Sequence, residues 1–290
     1  MLIAQISDLH VAEAGNFMRN FVDANAKLAA AVDYLNAMQL HPDVVIATGD
    51  LTDHGRAEQY ELLAAILDEL DVPLFLITGN HDEREPFRHA FAATHPYLPR
   101  EGPIQYVIDD YEVRLVAVDT TRIDHHDGEV DDQRLAWLDR TLAQRPDDPT
   151  VVFLHHPPFT TGIWWMDCIG LSGARKLESI VRSHPQARLV LAGHLHRPIT
   201  TNWGATVVST APSTTHQTAC NMHPDHEPVI AAEPPMLQLH WWTGDAFVSH
   251  TTVFEPPSDR IEIATLVADW PSAKARIRQG PPFPKGGLFG

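Results

Sequence analysis

The sequence predicts an α/β fold in which two sheets face each other with helices outside: a four-layer α/β/β/α sandwich carrying a small irregular cap. Three observations predict it. The first half alternates short apolar runs with stretches of helical spacing, the rhythm of parallel strands joined by covering helices. The second half is richer in strands, which calls for a second sheet. Finally, several predicted strands run straight into histidines and carboxylates, as strands do when their carboxyl ends share one functional edge.

The elements follow in order. Leu2 to Ile6 is a short apolar strand. Asp23 to Met38 has helical spacing, with Leu28, Val32 and Leu35 on one face. Val44 to Ala47 is a strand, Ala57 to Leu70 a helix, Leu74 to Ile77 a strand and Glu85 to Ala93 a short helix. Tyr106 to Ile108 and Val113 to Val118 flank Asp109-Asp110, a hairpin signal. Asp132 to Leu142 is a helix. Val151 to Leu154 and Leu189 to Ala192 are strands buried on both faces, and Ala205 to Ser209, Met236 to Trp242 and Ala246 to Val253 read as antiparallel strands. Two long stretches fit neither layer: PPFTTGIWWMDCIGLSG (157–173) and the proline-rich HQTACNMHPDHEPVIAAEPP (216–235). Loops of this length serve as lids or contacts, so both are expected to form the cap or an interface. The main domain is expected to span 1–255. Residues 256–290 form a C-terminal extension whose end, QGPPFPKGGLFG, is too rich in glycine and proline for regular structure.

A formal net charge of -17 argues against a protein that coats nucleic acid or an anionic membrane. It leaves room for a small anionic substrate at a site of opposite local sign. Two cysteines, Cys168 and Cys220, are too few for a disulfide framework, although a single bridge stays open. No stretch is apolar enough to span a membrane, and a cytoplasmic location is expected. The 18 histidines nearly match the 21 lysines and arginines, an excess that directs attention to metal ligands.

The segment LVLAGHLHRP (189–198) poses the question sharply: an apolar strand ends in His194 and His196. Alone, this is a loop with two histidines or a metal site. Other strand ends carry Asp8-Leu9-His10, Gly49-Asp50, Gly79-Asn80-His81-Asp82 and His155-His156-Pro157-Pro158. Each motif is weak by itself; their joint placement after successive strands is not. On these residues, from Met1 to about Val253, the chain resembles the calcineurin-like metallophosphoesterases, and among them the bacterial glycerophosphodiesterases and class III cyclic-nucleotide phosphodiesterases.

The resemblance implies a pair of metal ions bridged by Asp50, with Asp8, His10 and His196 completing one site and Asn80, His155 and His194 the other. It favours His155 over His156, because the family's histidine stands two places before the proline. Imidazole with carboxylate suits Mn, Fe, Zn or Co. Two divalent ions, two carboxylates and a bridging hydroxide leave a local charge of about +1, so an acidic protein can still hold an anion there. The implied chemistry is attack on phosphorus by a metal-bound hydroxide, with Asp50, Asn80 and His81 as the catalytic set and Asn80, His81 and His216 facing substrate. For His81 a phosphate contact, proton delivery to the leaving oxygen and a purely structural role all stay open.

Asp53 and His54 are expected to shape a turn, and His125, His126, His223 and His226 to be solvated. Trp164 and Trp165 wall a pocket or, by preference, form an interface. Phosphatases of this superfamily carry arginines where this chain has His54, in GDLTDHG, and Thr78, in TGNHD. Their loss favours small phosphodiesters, glycerophosphodiesters or cyclic nucleotides, over the more highly charged monoesters. A phosphomonoesterase or broad-specificity phosphatase on the same centre is the alternative. A nuclease and a binding module without catalysis are the other rivals. The loops around Asn16–Arg19, 157–173 and 216–235 are expected to choose the substrate, and the resemblance implies a homo-oligomer with a cap near the site.

Overall fold

The computed structural model describes residues 1–14, 21–255 and 261–280; the Asn16–Arg19 loop and most of the tail lie outside them. The chain divides into two units, Met1–Glu255 and Pro256–Gly290. In the first, β1 (Leu2–Ile6), α1 (Ala24–Asn36), β2 (Val44–Thr48), α2 (Ala57–Leu67), β3 (Leu74–Ile77) and α3 (Arg84–Phe91) follow one another. Next come β4 (Tyr106–Ile108), β5 (Arg114–Ala117), β6 (Gly128–Glu129), α4 (Asp132–Ala143) and β7 (Thr150–Phe153). Then come α5 (Trp164–Cys168), β8 (Leu171–Ser172), α6 (Ala174–Ser183), β9 (Ala187–Ala192), β10 (Ile199–Trp203) and β11 (Thr206–Thr210). The unit closes with β12 (Gln217–Thr218), β13 (Ile230–Ala231), β14 (Met236–Trp242) and β15 (Phe247–Val253). The second unit contributes α7 (Ile263–Leu266) and α8 (Trp270–Arg278), whose first turn is capped by Asp269.

One sheet has the order β15-β14-β1-β2-β3 and the other β10-β11-β9-β7-β5-β4. In the first, β1, β2 and β3 are parallel and β14 and β15 antiparallel. Alternation along the second sheet shows the layering. Leu115, Val151, Phe153, Leu189 and Leu191 belong to the core shared with the first sheet. Their neighbours Val116, Val152 and Val190 pack with Leu135, Leu138, Leu177 and Val181 of α4 and α6. The central strands β5, β7 and β9 are thus buried on both faces, which explains their apolar runs. The first sheet's core takes in Leu28, Val32 and Leu35 of α1 and Tyr60 and Leu63 of α2.

The structure differs from the sequence reading in identifiable places. The helix α6 was not anticipated because it buries only Leu177 and Val181 among charged neighbours. The edge strand β10 was missed because its ITTNW sequence is mostly polar. The strand read at Ala205 to Ser209 as antiparallel pairs antiparallel with β10 but parallel with β9. The segment 157–173 holds the short helix α5 and the strand β8, which pairs with β6, and 216–235 folds back on itself through β12 and β13. No described helix is long and apolar enough to cross a membrane.

A buried polar link joins the layers. His240 of β14 contacts Ser249 Oγ through Nδ1 at 2.8 Å and Gln5 Oε1 through Nε2 at 3.1 Å, while Gln5 Nε2 donates to Ala192 O of the other sheet at 3.0 Å. Burial lowers the His240 pKa to about 3, against about 6.5 for a free ring. The folded pKa is depressed, so stability is complete above about pH 6.5 and falls as pH drops toward 3, by about 1.4 kcal/mol per unit. His240→Gln is expected to flatten that loss in denaturant titrations run from pH 7 to pH 4. Parallel stability curves for variant and parent would contradict this reading.

Candidate metal centre

The strand ends bring the predicted residues together. Asp8 N donates to Gly49 O and His10 N to Asp50 O, both at 3.0 Å, so the turns after β1 and β2 run side by side. Asp8, His10, Asp50, His194 and His196 all have positive φ, between 47° and 70°. Among the described residues, Asp124 is the one other non-glycine in that region. The left-handed conformation costs a side-chain-bearing residue on the order of 1–2 kcal/mol. Such strain persists where the surroundings dictate it and clusters at functional sites. Here it turns each side chain back toward one point. Two glycines permit the crowding: a Cβ on Gly79 would lie 2.2 Å from Asp50 Oδ1, and one on Gly193 2.1 Å from Ser7 Oγ. Gly79→Ala is expected to cost roughly 1–3 kcal/mol, read as a lower thermal midpoint, because the atoms it meets include the Asp50 backbone nitrogen. An unchanged midpoint would show that the turns are looser than described.

The seven side chains read as ligands lie in two adjoining groups. His10 Nε2 is 3.1 Å from His196 Nε2, and His196 Nε2 is 3.4 Å from Asp8 Oδ1. His155 Nε2 is 3.1 Å from Asn80 Oδ1 and 3.3 Å from Asp50 Oδ1. Asp50 reaches both groups, since its Oδ2 stands 3.9 Å from His10 Nε2. His194 closes the second group, its ring centre 5.2 Å from that of His155.

The outer nitrogens of the rings decide whether these groups suit metal. His155 Nδ1 meets Thr48 O at 2.8 Å, His196 Nδ1 meets His216 O at 2.8 Å, and His194 Nε2 meets Ile169 O at 3.1 Å. A carbonyl only accepts, so each ring carries its proton on that side and a neutral ring points a lone pair inward. Nε2 of His155 therefore faces Asn80 and Asp50, and Nε2 of His196 faces Asp8. Positive charge there, a proton on His155 or a bound cation in its place, reconciles the arrangement, and the donor set fits a divalent metal centre. The electrostatics show the pull toward positive charge. Burial opposes charge on His155, but Asp50 and Asp8 outweigh it and push the ring up to about 9. Burial raises Asp8 to about 6. Burial would raise Asp50 too, but His155 and His81 hold it well below the ordinary carboxylate value.

His156 lies beside His155 and His194 but has both ring nitrogens engaged elsewhere. Its Nδ1 lies 2.9 Å from Thr120 Oγ1 and its Nε2 3.2 Å from His126 O, and burial lowers it to about 3. His81 is fixed twice, with its backbone N donating to Asp50 Oδ1 and its Nδ1 to Asp53 O, each at 2.9 Å. Its ring centre is 4.8 Å from that of His10. His216 is buried with its ring 4.5 Å from that of His196; burial and then His196 lower its pKa to about 2.

Three residues carry more than the sequence reading gave them. Asp53, read as a turn residue, is buried with Oδ1 3.4 Å from His10 Nδ1 and Oδ2 3.3 Å from His54 Nε2. Its place in GDLTD, three residues after Asp50, was the available signal. His126, read as solvated, is exposed but has Nδ1 3.3 Å from Asn80 Nδ2; nothing in its local sequence marks this. Asp82 ties two turns together, accepting from Leu51 N at 3.0 Å, Gly79 N at 2.8 Å and Tyr60 Oη at 3.0 Å. At the two positions where arginine was absent, Thr78 is fully buried and His54 is turned toward Asp53.

Paired imidazole–carboxylate groups at the carboxyl edge of a two-sheet sandwich define a phosphoesterase built around a divalent-metal centre. The chain belongs to the calcineurin-like phosphoesterase family, whose model matches residues 1–198. It is 34% identical over 262 residues to a probable glycerophosphodiester phosphodiesterase, GpdQ, of Arcobacter nitrofigilis, covering 89% of this chain and 96% of that one. It is also 34% identical to a probable cyclic nucleotide phosphodiesterase of Rhodopseudomonas palustris, over 88% of this chain and 93% of the relative. A dimetal phosphatase from Danio rerio shares the fold, with a TM-score of 0.62 at 16% identity over 88% of this chain and 96% of that structure.

Proposed function

We propose that this chain is a metal-dependent phosphodiesterase that hydrolyses small phosphodiesters, with glycerophosphodiesters and cyclic nucleotides as the substrate classes. Asp8, His10, Asp50 and His196 hold one ion, and Asp50, Asn80, His155 and His194 the other. The observation that carries the reading is the convergence of His155, Asn80 and Asp50 beside that of His196 and Asp8. When bound, the two ions supply Lewis acidity to the phosphoryl oxygens and make a water acidic enough to attack at neutral pH. Mn, Fe, Zn and Co all suit the donors.

The protein's own groups do the rest. Asp50 spans both groups and orients His81 through its backbone N–H. His81 Nδ1 donates to Asp53 O, so a phosphoryl or leaving oxygen would be met by Nε2 with a second proton on the ring. His216 offers a second imidazole, held neutral by burial. The absence of arginine at the Thr78 and His54 positions supports a singly charged diester over a dianionic monoester. Exposed Trp164, Met222 and Val229 on the cap segments support a homo-oligomer, and unpaired Cys168 and Cys220 support a cytoplasmic location. The test is a substrate panel on protein reconstituted with each metal. Hydrolysis of glycerophosphodiesters or cyclic nucleotides well above the matching monoesters is expected, whereas a preference for monoesters would overturn the assignment.

A further inference from the structure

The loop that carries His194 and His196 grips both cap segments with four consecutive side chains. His194 Nε2 donates to Ile169 O, at the end of α5, at 3.1 Å. Leu195, fully buried, packs in an apolar cluster with Ile163 and Met166 of the same segment. His196 Nδ1 donates to His216 O at 2.8 Å, at the start of the second segment. Arg197 Nη1 donates to Thr218 O at 2.6 Å and pairs with Glu233 Oε1 at 3.1 Å. Residues 194 and 195 therefore hold the first segment, and 196 and 197 the second. The two segments also touch, through Trp164 Nε1 donating to His226 O at 2.8 Å.

We infer that the cap segments are positioning parts of the metal centre, each serving a different ion: the Ile163–Met166–Leu195 cluster acts through His194, and the Arg197–Glu233 pair through His196. This rests on the ligand assignment proposed above. The physical reason is that a ligating imidazole needs its other nitrogen fixed. The partner there sets the tautomer and the ring angle, and losing such a partner typically weakens metal binding 10–100-fold. Here that partner is a main-chain carbonyl, which no substitution removes directly. Its position depends on what anchors the segment. Met166 is buried beside Leu195 and three residues from Ile169. Glu233 holds Arg197, whose guanidinium fixes Thr218 O two residues from His216. Two anchors on separate segments can in this way set the hold on each ion separately.

The experiment is a metal titration of chelator-treated full-length protein with Co(II), followed by calorimetry and by the visible absorption of the bound ion, in single-site backgrounds. In His196→Ala, which keeps the His194 ion, Met166→Ala is expected to weaken Co(II) binding on the order of tenfold and to change the absorption, and Met166→Leu to restore both. In His194→Ala, which keeps the other ion, Met166→Ala is expected to leave the affinity unchanged while Glu233→Ala weakens it to a similar extent. Thermal melts of the metal-free proteins confirm that each variant is folded; where Met166→Ala is not, Ile163→Val takes its place as the milder perturbation of the same cluster. Equal effects of Met166→Ala in both backgrounds, or none in either, would overturn the inference. If His194→Ala and His196→Ala each still bind two ions, the ligand assignment itself fails, a separate result.

Discussion

Asp50→Ala is expected to retain at most one divalent ion per chain and to lose kcat/KM toward a small phosphodiester on the order of 10⁴-fold, the scale seen when a catalytic unit is dismantled. The size follows from its position. It is the one described side chain whose two oxygens face both groups, with Oδ1 3.3 Å from His155 and Oδ2 3.9 Å from His10. Its Oδ1 also receives the His81 backbone N–H at 2.9 Å, so the substitution also loosens His81. Removing the charge alone, by Asp50→Asn, is expected to preserve the fold and the His81 contact but still forfeit an ion. Elemental analysis with steady-state kinetics checks both variants. Two tightly held ions in Asp50→Ala would mean that Asp50 does not join the sites.

Removal of metal by a chelator is expected to lower the thermal midpoint by about 10 °C or more, and re-addition to restore it. A ligand at 1,000 times its dissociation constant stabilises the fold by about 4 kcal/mol, and a domain of this size shifts by about 2–4 °C per kcal/mol. Two ions therefore predict a large effect. The local chemistry gives it a cause. Five residues held at positive φ and the acceptors of Asn80 and Asp50 gathered on His155 are held together more firmly by a bound cation than by a proton on one ring. Differential scanning calorimetry with and without chelator measures it. A midpoint that moves by less than about 2 °C would show that the protein tolerates the empty cluster and that the strain has another origin.

Much of the site was legible before any coordinates. Asp8, His10, Asp50, Asn80, His155, His194 and His196 each follow an apolar run, and chain order alone placed those runs in parallel strands. A parallel sheet sends all its carboxyl ends to one edge, so residues at those ends must meet. The outer partners were far less legible. Thr48, Ile169 and His216 act on the histidines through backbone carbonyls, which every residue type possesses. His126 reaches Asn80 across 46 positions of sequence, from a loop whose composition signals only solvent. Asp53 stood between: its motif was visible, but its aim at His10 depends on how two turns lie against each other.

The same division holds for the fold. Period and apolarity determined that there are two sheets, because a strand buried on both faces and a helix with one apolar stripe leave few ways to be covered. The short α6, which buries Leu177 and Val181 among charged neighbours, and the polar edge strand β10 became evident only from the packing. The sequence by itself determined which strand ends carry histidines and carboxylates and along which edge they gather, and its family resemblance implied which of them could bind a pair of ions. The tertiary structure alone decided the tautomers of His155, His194 and His196 and which segment holds each, because hydrogen bonds to main-chain carbonyls depend on where the backbone passes and not on which residue it bears.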